Sequence, residues 1–258
     1  KERIMGVTNQ QYGTRIDEIA AGIYRISTPV SSVPGGFSFN QYLLMDEQPL
    51  LFHTGPRKMH ALVQEAMATV IDIKSLRFIG FSHYESDECG SLAEFLALAP
   101  NAVPLCGRVN AMINGDCFGK KAHVLADGEA LITGQRHLRW FDTPHLPHAW
   151  ECGYLMEETS HTLLCGDLFT QGGADLPALA ASDILEPSES FRKQMDYYSH
   201  TKHVRPMMAR LAAAKPTLLA CMHGSAWQGD GGKLLLELAE ALDRDNIDTA
   251  PAPSHPLT

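Results

Sequence analysis

The chain has no apolar run long enough to span a bilayer, and its first residues, KERIMGVTNQQYG, lack the apolar core of a secretory signal. No low-complexity linker interrupts the 258 residues, 45% of them hydrophobic, which suits one large domain or two small ones, with ample core either way. Basic residues are outnumbered by acidic ones, 21 to 30, for a formal net charge of −9. That balance argues against nucleic acid or an anionic membrane surface as partner. The six cysteines (Cys89, Cys106, Cys117, Cys152, Cys165, Cys221) include no C-x-x-C pair. A domain of this size needs no disulfide staples, so they read as reduced thiols of a cytoplasmic protein, most of them small core filler. Neither a Ser-His-Asp arrangement nor a phosphate-cradling glycine loop is evident. GDGG at 229–232 follows no strand and reads as a turn.

What is present is a mixture of short strands and helices. Segments 22–30 and 38–55 read as strands, the second a hairpin turning at DEQP. Met59, Leu62, Val63, Ala66, Met67 and Val70 recur at helical spacing over 57–70. Strands follow at 76–82, 102–106, 122–132 and 137–142, with a helix at 88–99. A second hairpin covers 152–167 with EETS at its tip, and 188–214 reads as helical, broken or kinked near Pro206. A buried strand at 216–224 and an amphipathic helix at 233–244 complete the pattern. The expected fold class is α/β (α+β), one domain over 1–258 made of two packed halves, 15–142 and 143–248, with 249–258 a loose tail.

The stretch FIGFSHYESDECG carries the first chemical signal. An apolar strand runs into His83, Glu85 and Asp87 at alternate positions, which extended backbone would place on one face. One imidazole and two carboxylates converging there would be costly without a counter-charge or a metal. The bland alternative is a polar loop with Asp87 as a helix N-cap, and these residues alone leave both open. Three further loops carry ligand-type residues directly after a strand: His145 and His148 in TPHLPHAW, Asp167 after HTLLCG, and His223 after TLLACM. Three histidines (His83, His148, His223) and three carboxylates (Glu85, Asp87, Asp167) suffice for two metal ions. Cys165 and Cys221 each lie two residues before one of these, so on a strand they would share its face and could touch a metal. His200 and His203, three apart on the expected helix, read as surface residues.

HYESDECG, followed by His148, Asp167 and CMHGSAW, resembles the metallo-β-lactamase superfamily, and within it the β-lactamase-like domain of flavodiiron proteins. Of the two candidate histidines, only His148 gives the 18-residue interval before Asp167 that the family's motif has. FNQYLL, the tyrosine pair at 197–198 and the H-G-x-x-W ending also look like that family, and the likeness runs from about residue 15 to residue 230. The resemblance implies an αββα sandwich with the metals in a cleft at one edge of the sheets. It implies that metal one is held by His83, Glu85 and His148, metal two by Asp87 and His223, with Asp167 bridging. Three departures stand out. Glu88 occupies a position that is often histidine, and it could add a fourth carboxylate. His53 replaces the acid of a common D-T-G. The sequence also ends where a flavodoxin domain would begin, so no flavin is expected in this chain, which looks most like stand-alone oxygen-binding diiron proteins of the branch. Tyr84 and His145 are expected as pocket residues, and the resemblance points to a homodimer.

The hydrolases of the superfamily use a histidine-rich H-x-H-x-D-H set suited to zinc. Glu85 substitutes a hard oxygen ligand, which by softness favours iron or manganese over zinc. Three carboxylates offset most of the charge of two divalent ions and so stabilise oxidised states. The expected function is therefore a non-haem diiron protein that binds or reduces O2, or NO. It would act as an oxygen sensor signalling to another protein, or as a reductase fed by a separate electron donor. The competing reading is a dinuclear hydrolase, in which the same pair would polarise a carbonyl or phosphoryl group.

Overall fold

Helix and strand periodicities sort this chain's apolar residues onto two sheets and their outer helices. The computed structural model describes residues 5–247. The first sheet runs in chain order: β1 (Met5–Asn9), β2 (Thr14–Ala20), β3 (Ile23–Val30), β4 (Phe37–Leu44), β5 (Leu50–Phe52), β6 (Phe78–Gly80), β7 (Val103–Gly107) and β8 (His123–Leu125). Its pairings are antiparallel as far as β5 and parallel from β5 to β8. The second sheet contains β9 (Ala130–Ile132), β10 (His137–Asp142), β11 (Gly153–Glu157), β12 (Thr162–Leu164), β13 (Leu179–Ala180), β14 (Leu218–Ala220) and β15 (Ala226–Gln228). Its order is β13-β15-β14-β12-β11-β10-β9.

Alternation along the strands builds the layers. On β4, Tyr42 and Leu44 face the second sheet, where they meet Leu138, Trp140, Leu155 and Leu164. Leu43, between them, faces outward onto Val63 and Met67 of α1 (His60–Ala68) and the α3 residues Phe95 and Leu96 (helix Leu92–Leu98). On the second sheet, Leu155 points inward while Met156 points out. Leu163 and Leu219 join Met156 against Met208 and Leu211 of α6 (Val204–Ala213) and Leu235 and Leu238 of α7 (Gly231–Ile247). Helices, sheet, sheet, helices: this is the αββα sandwich.

Several elements differ from the sequence reading. β1 and β2 were not anticipated, because β2 buries Thr14 and Asp17 alongside Ile16 and Ile19, so its pattern is not apolar-in, polar-out. The strand expected over 122–132 is two strands in different sheets, and the chain crosses between sheets at 126–129, where Gly128 takes φ +76°. β10, grouped with the first half by sequence, therefore belongs to the second sheet. The short α4 (Arg108–Asn114) was also missed. Residues 188–214 form two helices, α5 (Leu185–Met195) and α6, and the break falls at 196–203 rather than at Pro206. Pro206 sits in the first turn of α6, where a missing N–H disrupts no helical bond. Consequently His200 and His203 do not share a helix: His200 is in the loop, His203 caps α6, and both are exposed. The expected tail at 249–258 lies outside the described residues. Among the described residues no helix is long and apolar enough to cross a membrane.

Candidate metal centre

Four loops at the C-terminal ends of strands, one from the first sheet and three from the second, converge on one spot. His83 and Glu85 follow β6, His148 lies between β10 and β11, Asp167 follows β12 and His223 follows β14. The extended stretch expected for His83, Glu85 and Asp87 is not what gathers them. β6 ends at Gly80, Glu85 is the last extended residue (φ −134°, ψ 158°), and Asp87 sits in the single turn α2 (Ser86–Cys89). The chain reverses into a helix there, and Glu85, not Asp87, is the N-cap residue.

The donor atoms fall into two sets that share one carboxylate. In the first, Glu85 Oε2 lies 2.8 Å from His83 Nε2 and 3.0 Å from His148 Nε2, and the two Nε2 atoms are 2.9 Å apart. Asp167 Oδ2 lies 3.7 Å from His83 Nε2 and 3.5 Å from His148 Nε2. These four residues present one donor each within 4.8 Å of one another. In the second set, His223 Nε2 lies 3.4 Å from Asp87 Oδ2 and 3.3 Å from Asp167 Oδ1. Asp167 thus turns one oxygen to each set. Its Oδ1 is buried and has no hydrogen-bond partner, as expected of an atom built to accept a cation.

The outer nitrogens of the imidazoles fix which atom faces inward. His148 Nδ1–H donates to the Tyr197 carbonyl at 3.0 Å, and His223 Nδ1–H donates to the Ser38 carbonyl at 2.8 Å. A carbonyl only accepts, so each Nδ1 keeps its proton, and Nε2, aimed at the carboxylates, is the nitrogen that can release its proton and offer a lone pair to a cation. This is how metal-binding histidines are oriented. His83 Nδ1 pairs with Ser82 Oγ at 3.0 Å. The ring of His223 stacks on Phe37 with centroids 4.3 Å apart and meets Phe39 edge-on at 5.3 Å.

The charges follow. Hydrogen bonds from His148 and His83 hold the Glu85 carboxyl down at about 2 despite partial burial. Burial pushes Asp167 up, but the His223 imidazole 3.3 Å away, with His83 and His148 around it, wins and holds it well below the usual carboxylate range. Burial also opposes protonation of His223, yet Asp167 and Asp87 lift it to about 10. His83 rises for similar reasons, burial being overcome by contacts with Cys152 and Glu85 and by the Glu88 charge. The site therefore has a strong affinity for positive charge, which protons or metal ions can supply.

Residues outside the two sets are placed as follows. Glu88 is fully buried and contacts His53, with Oε1 4.0 Å from His83 Nδ1, on the side of the ring away from the convergent donors. The two departures at positions 53 and 88 are therefore partners. Burial lifts the Glu88 carboxyl and lowers His53. Cys165 and Cys221 are buried, with sulfurs 3.9 Å from each other, outside the convergent group. His145 is exposed and lines a small cavity with Arg192, Tyr198 and His200. Tyr84 is 39% exposed, its ring against Phe118, with its backbone N–H bonded to Glu151 at 3.1 Å. Ser38, Phe37 and Phe39 were not read as site residues. The only hint was the place of Phe39 in FNQYLL, with Phe37 and Ser38 directly before it.

Residues 37–224 match the family described as ODP family beta lactamase. The anaerobic nitric oxide reductase flavorubredoxin of Pectobacterium atrosepticum is 27% identical over 233 residues, covering 82% of this chain and 44% of that protein. The chain thus spans about half the length or less of such curated relatives. Its fold is that of the rubredoxin oxygen:oxidoreductase from Desulfovibrio gigas (TM-score 0.76, 18% identity, 88% of this chain and 61% of that one). It is equally that of the flavodiiron protein from Giardia intestinalis (TM-score 0.78, 18% identity, 89% and 59%). The family match covers well over half the sequence, and the chain belongs to the ODP beta-lactamase family, in the flavodiiron-like branch of the metallo-β-lactamase superfamily.

Proposed function

We propose that this chain holds two iron ions and binds or reduces O2 or NO. The observation that carries the reading is the division of six side chains into two donor sets joined through the two oxygens of Asp167. His83, Glu85 and His148 would hold one ion and Asp87 and His223 the other. The oxygen-rich donor set favours iron over zinc by softness, and the flavorubredoxin relative is named for nitric oxide reduction. Bound iron would supply the electrons for reducing the gas. The residues' part is to hold two cations close together, to fix the imidazole tautomers through Tyr197 and Ser38, and to limit water with the Phe37 and Phe39 rings. Electrons would come from a separate donor in a reductase, whereas a sensor would pass the change of state to another protein.

The test begins with metal content: protein from iron-replete cells should carry two iron ions per chain. Reduced without air and then mixed with O2 or NO, it should change its visible spectrum and take up the gas in proportion to its iron. Suppose the reduced iron form is inert to both gases while the zinc form cleaves a thioester, lactone or phosphodiester with kcat on the order of 1 s⁻¹ or more. The dinuclear hydrolase would then replace this reading.

A further inference from the structure

His223 is carried by the second sheet but aimed by the first. The turn Met222–His223–Gly224 follows β14, and Gly224 takes φ +86°, with a side chain excluded there by Gln171. Seven hydrogen bonds tie this turn and Cys221 before it to β3 and β4. The Asn40 backbone N–H donates to the Met222 carbonyl at 2.9 Å, and its side-chain amide donates to the carbonyls of Cys221 at 2.9 Å and Gly224 at 2.8 Å. Tyr42 Oη donates to the Cys221 carbonyl at 2.6 Å, and Arg25 Nη2 to the Gly224 carbonyl at 2.7 Å. Ser38 accepts from His223 Nδ1 and, through Oγ, from the Gly224 N–H at 3.1 Å.

The strand register explains why three donors meet here. Arg25 pairs opposite Tyr42, and Asn40 lies two residues before Tyr42 on the same face, so all three point toward the second sheet. Each is at most 1% exposed. Together they grip the carbonyls on both sides of His223, fixing the turn's height and rotation above the first sheet. The other imidazoles are held differently: His148 by Tyr197 and His83 by Ser82. Of the three imidazoles, a change in this grip bears directly on His223 alone.

We propose that Asn40, assisted by Tyr42 and Arg25, is a positioning residue for the second metal ion, setting the His223 imidazole against Asp87 and Asp167. This inference rests on the dinuclear reading above. It makes the second ion's affinity depend on these hydrogen bonds at the His223 turn, which grip none of the first ion's own ligands His83, Glu85 and His148.

The test titrates full-length apoprotein with Co²⁺, reading stoichiometry by elemental analysis and each ion's environment by its visible d–d bands. Wild type, Asn40→Ala, Tyr42→Phe and, as a control for plain destabilisation, Met67→Ala are compared. Met67, on α1, is fully buried against the opposite face of the first sheet. Asn40→Ala should leave the first ion unchanged and weaken the second at least tenfold, within the range seen when partners of metal ligands are lost. Tyr42→Phe, which removes one bond and keeps the ring, should shift the second ion in the same direction by less, and it carries the test if Asn40→Ala does not fold. Met67→Ala should melt earlier and bind both ions as wild type does. Wild-type binding of both ions by Asn40→Ala and Tyr42→Phe would overturn the proposal, as would an equal loss in Met67→Ala. Fewer than two ions in wild type would instead overturn the dinuclear reading, and this inference with it.

Discussion

Asp167 is the residue whose removal should be felt by both ions, and Asp167→Asn is the sharpest perturbation because it keeps the shape of a side chain that is 6% exposed. The magnitude can be worked from the donor count. A structural zinc site of four ligands binds with about 10–16 kcal/mol, so one ligand accounts for about 3 kcal/mol. Asp167 gives one oxygen to His83 and His148 and the other to His223, at 3.3–3.7 Å. The amide offers one neutral oxygen and one NH2, so one set loses its donor and the other keeps a weaker one. The expected cost is about 3 kcal/mol for one ion, a factor of about 100 in Kd, and a smaller loss for the other. Asp87→Ala touches only the second set and should cost one ion alone. Competition against a chromophoric chelator, with elemental analysis of dialysed protein, separates these patterns. Wild-type affinity for both ions in Asp167→Asn, or loss of the same single ion as in Asp87→Ala, would refute the shared-carboxylate assignment.

Three further outcomes are expected. His148→Ala should lower metal content while His145→Ala leaves it near normal, as elemental analysis of the two purified variants will show; the reverse would make His145 the ligand in place of His148. Glu88→Ala should keep two metals per chain, because its carboxylate lies by His53 and not among the convergent donors. Leaving His53 buried without that partner should cost about 2 kcal/mol, a fall in Tm of about 6 °C by calorimetry. Asp46 accepts bonds from Thr133, Gln135 and Arg136; burial pushes its carboxyl up, but these bonds prevail and lower it from 3.8 to about 2. A lowered carboxylate contributes stability above its unfolded pKa and loses it as pH falls toward its folded one. After discounting for solvent screening, Asp46→Asn should cost about 1 kcal/mol in urea unfolding at pH 7. The gap to wild type should close between about pH 4 and pH 2.

The sandwich and the convergence of six ligand-type residues were legible in the sequence, but for different reasons. Tyr42-Leu43-Leu44 and Leu163-Leu164 are apolar throughout, which marks strands covered on both faces even where alternation is absent. Asp167 and His223 stood out because each follows such a run, and His148 because it follows the strand HLRWFD. The local argument for His83, Glu85 and Asp87 reached the right place by the wrong route: alternation in a strand was expected, and a turn into α2 brings them together. The crossing at 126–129 was not legible because the runs on either side are three residues each and read as one strand. The contact between His53 and Glu88 was not legible either. Thirty-four residues separate them in sequence, and only the pairing of β5 with β6 shows that both departures concern one contact.

That both halves contribute ligands bears on how metal and fold depend on each other. The first sheet's loops carry His83, Glu85 and Asp87, and the second sheet's carry His148, Asp167 and His223. Neither proposed set can be completed within one half, so an ion bound there joins the sheets as well as occupying a site. A ligand that binds only the joined state stabilises it by RT ln(1 + [L]/Kd), about 4 kcal/mol at a thousandfold excess over Kd. His83 and His223, both raised by the carboxylates around them, hold protons that an ion must displace, which weakens binding as pH falls. Removing metal with a chelator should therefore loosen the contact between sheets first at the His223 turn, where ligand and inter-sheet hydrogen bonds share three residues. Amide exchange at Met222–Gly224 in the metal-free protein reports it, and unchanged protection there would separate metal binding from sheet packing.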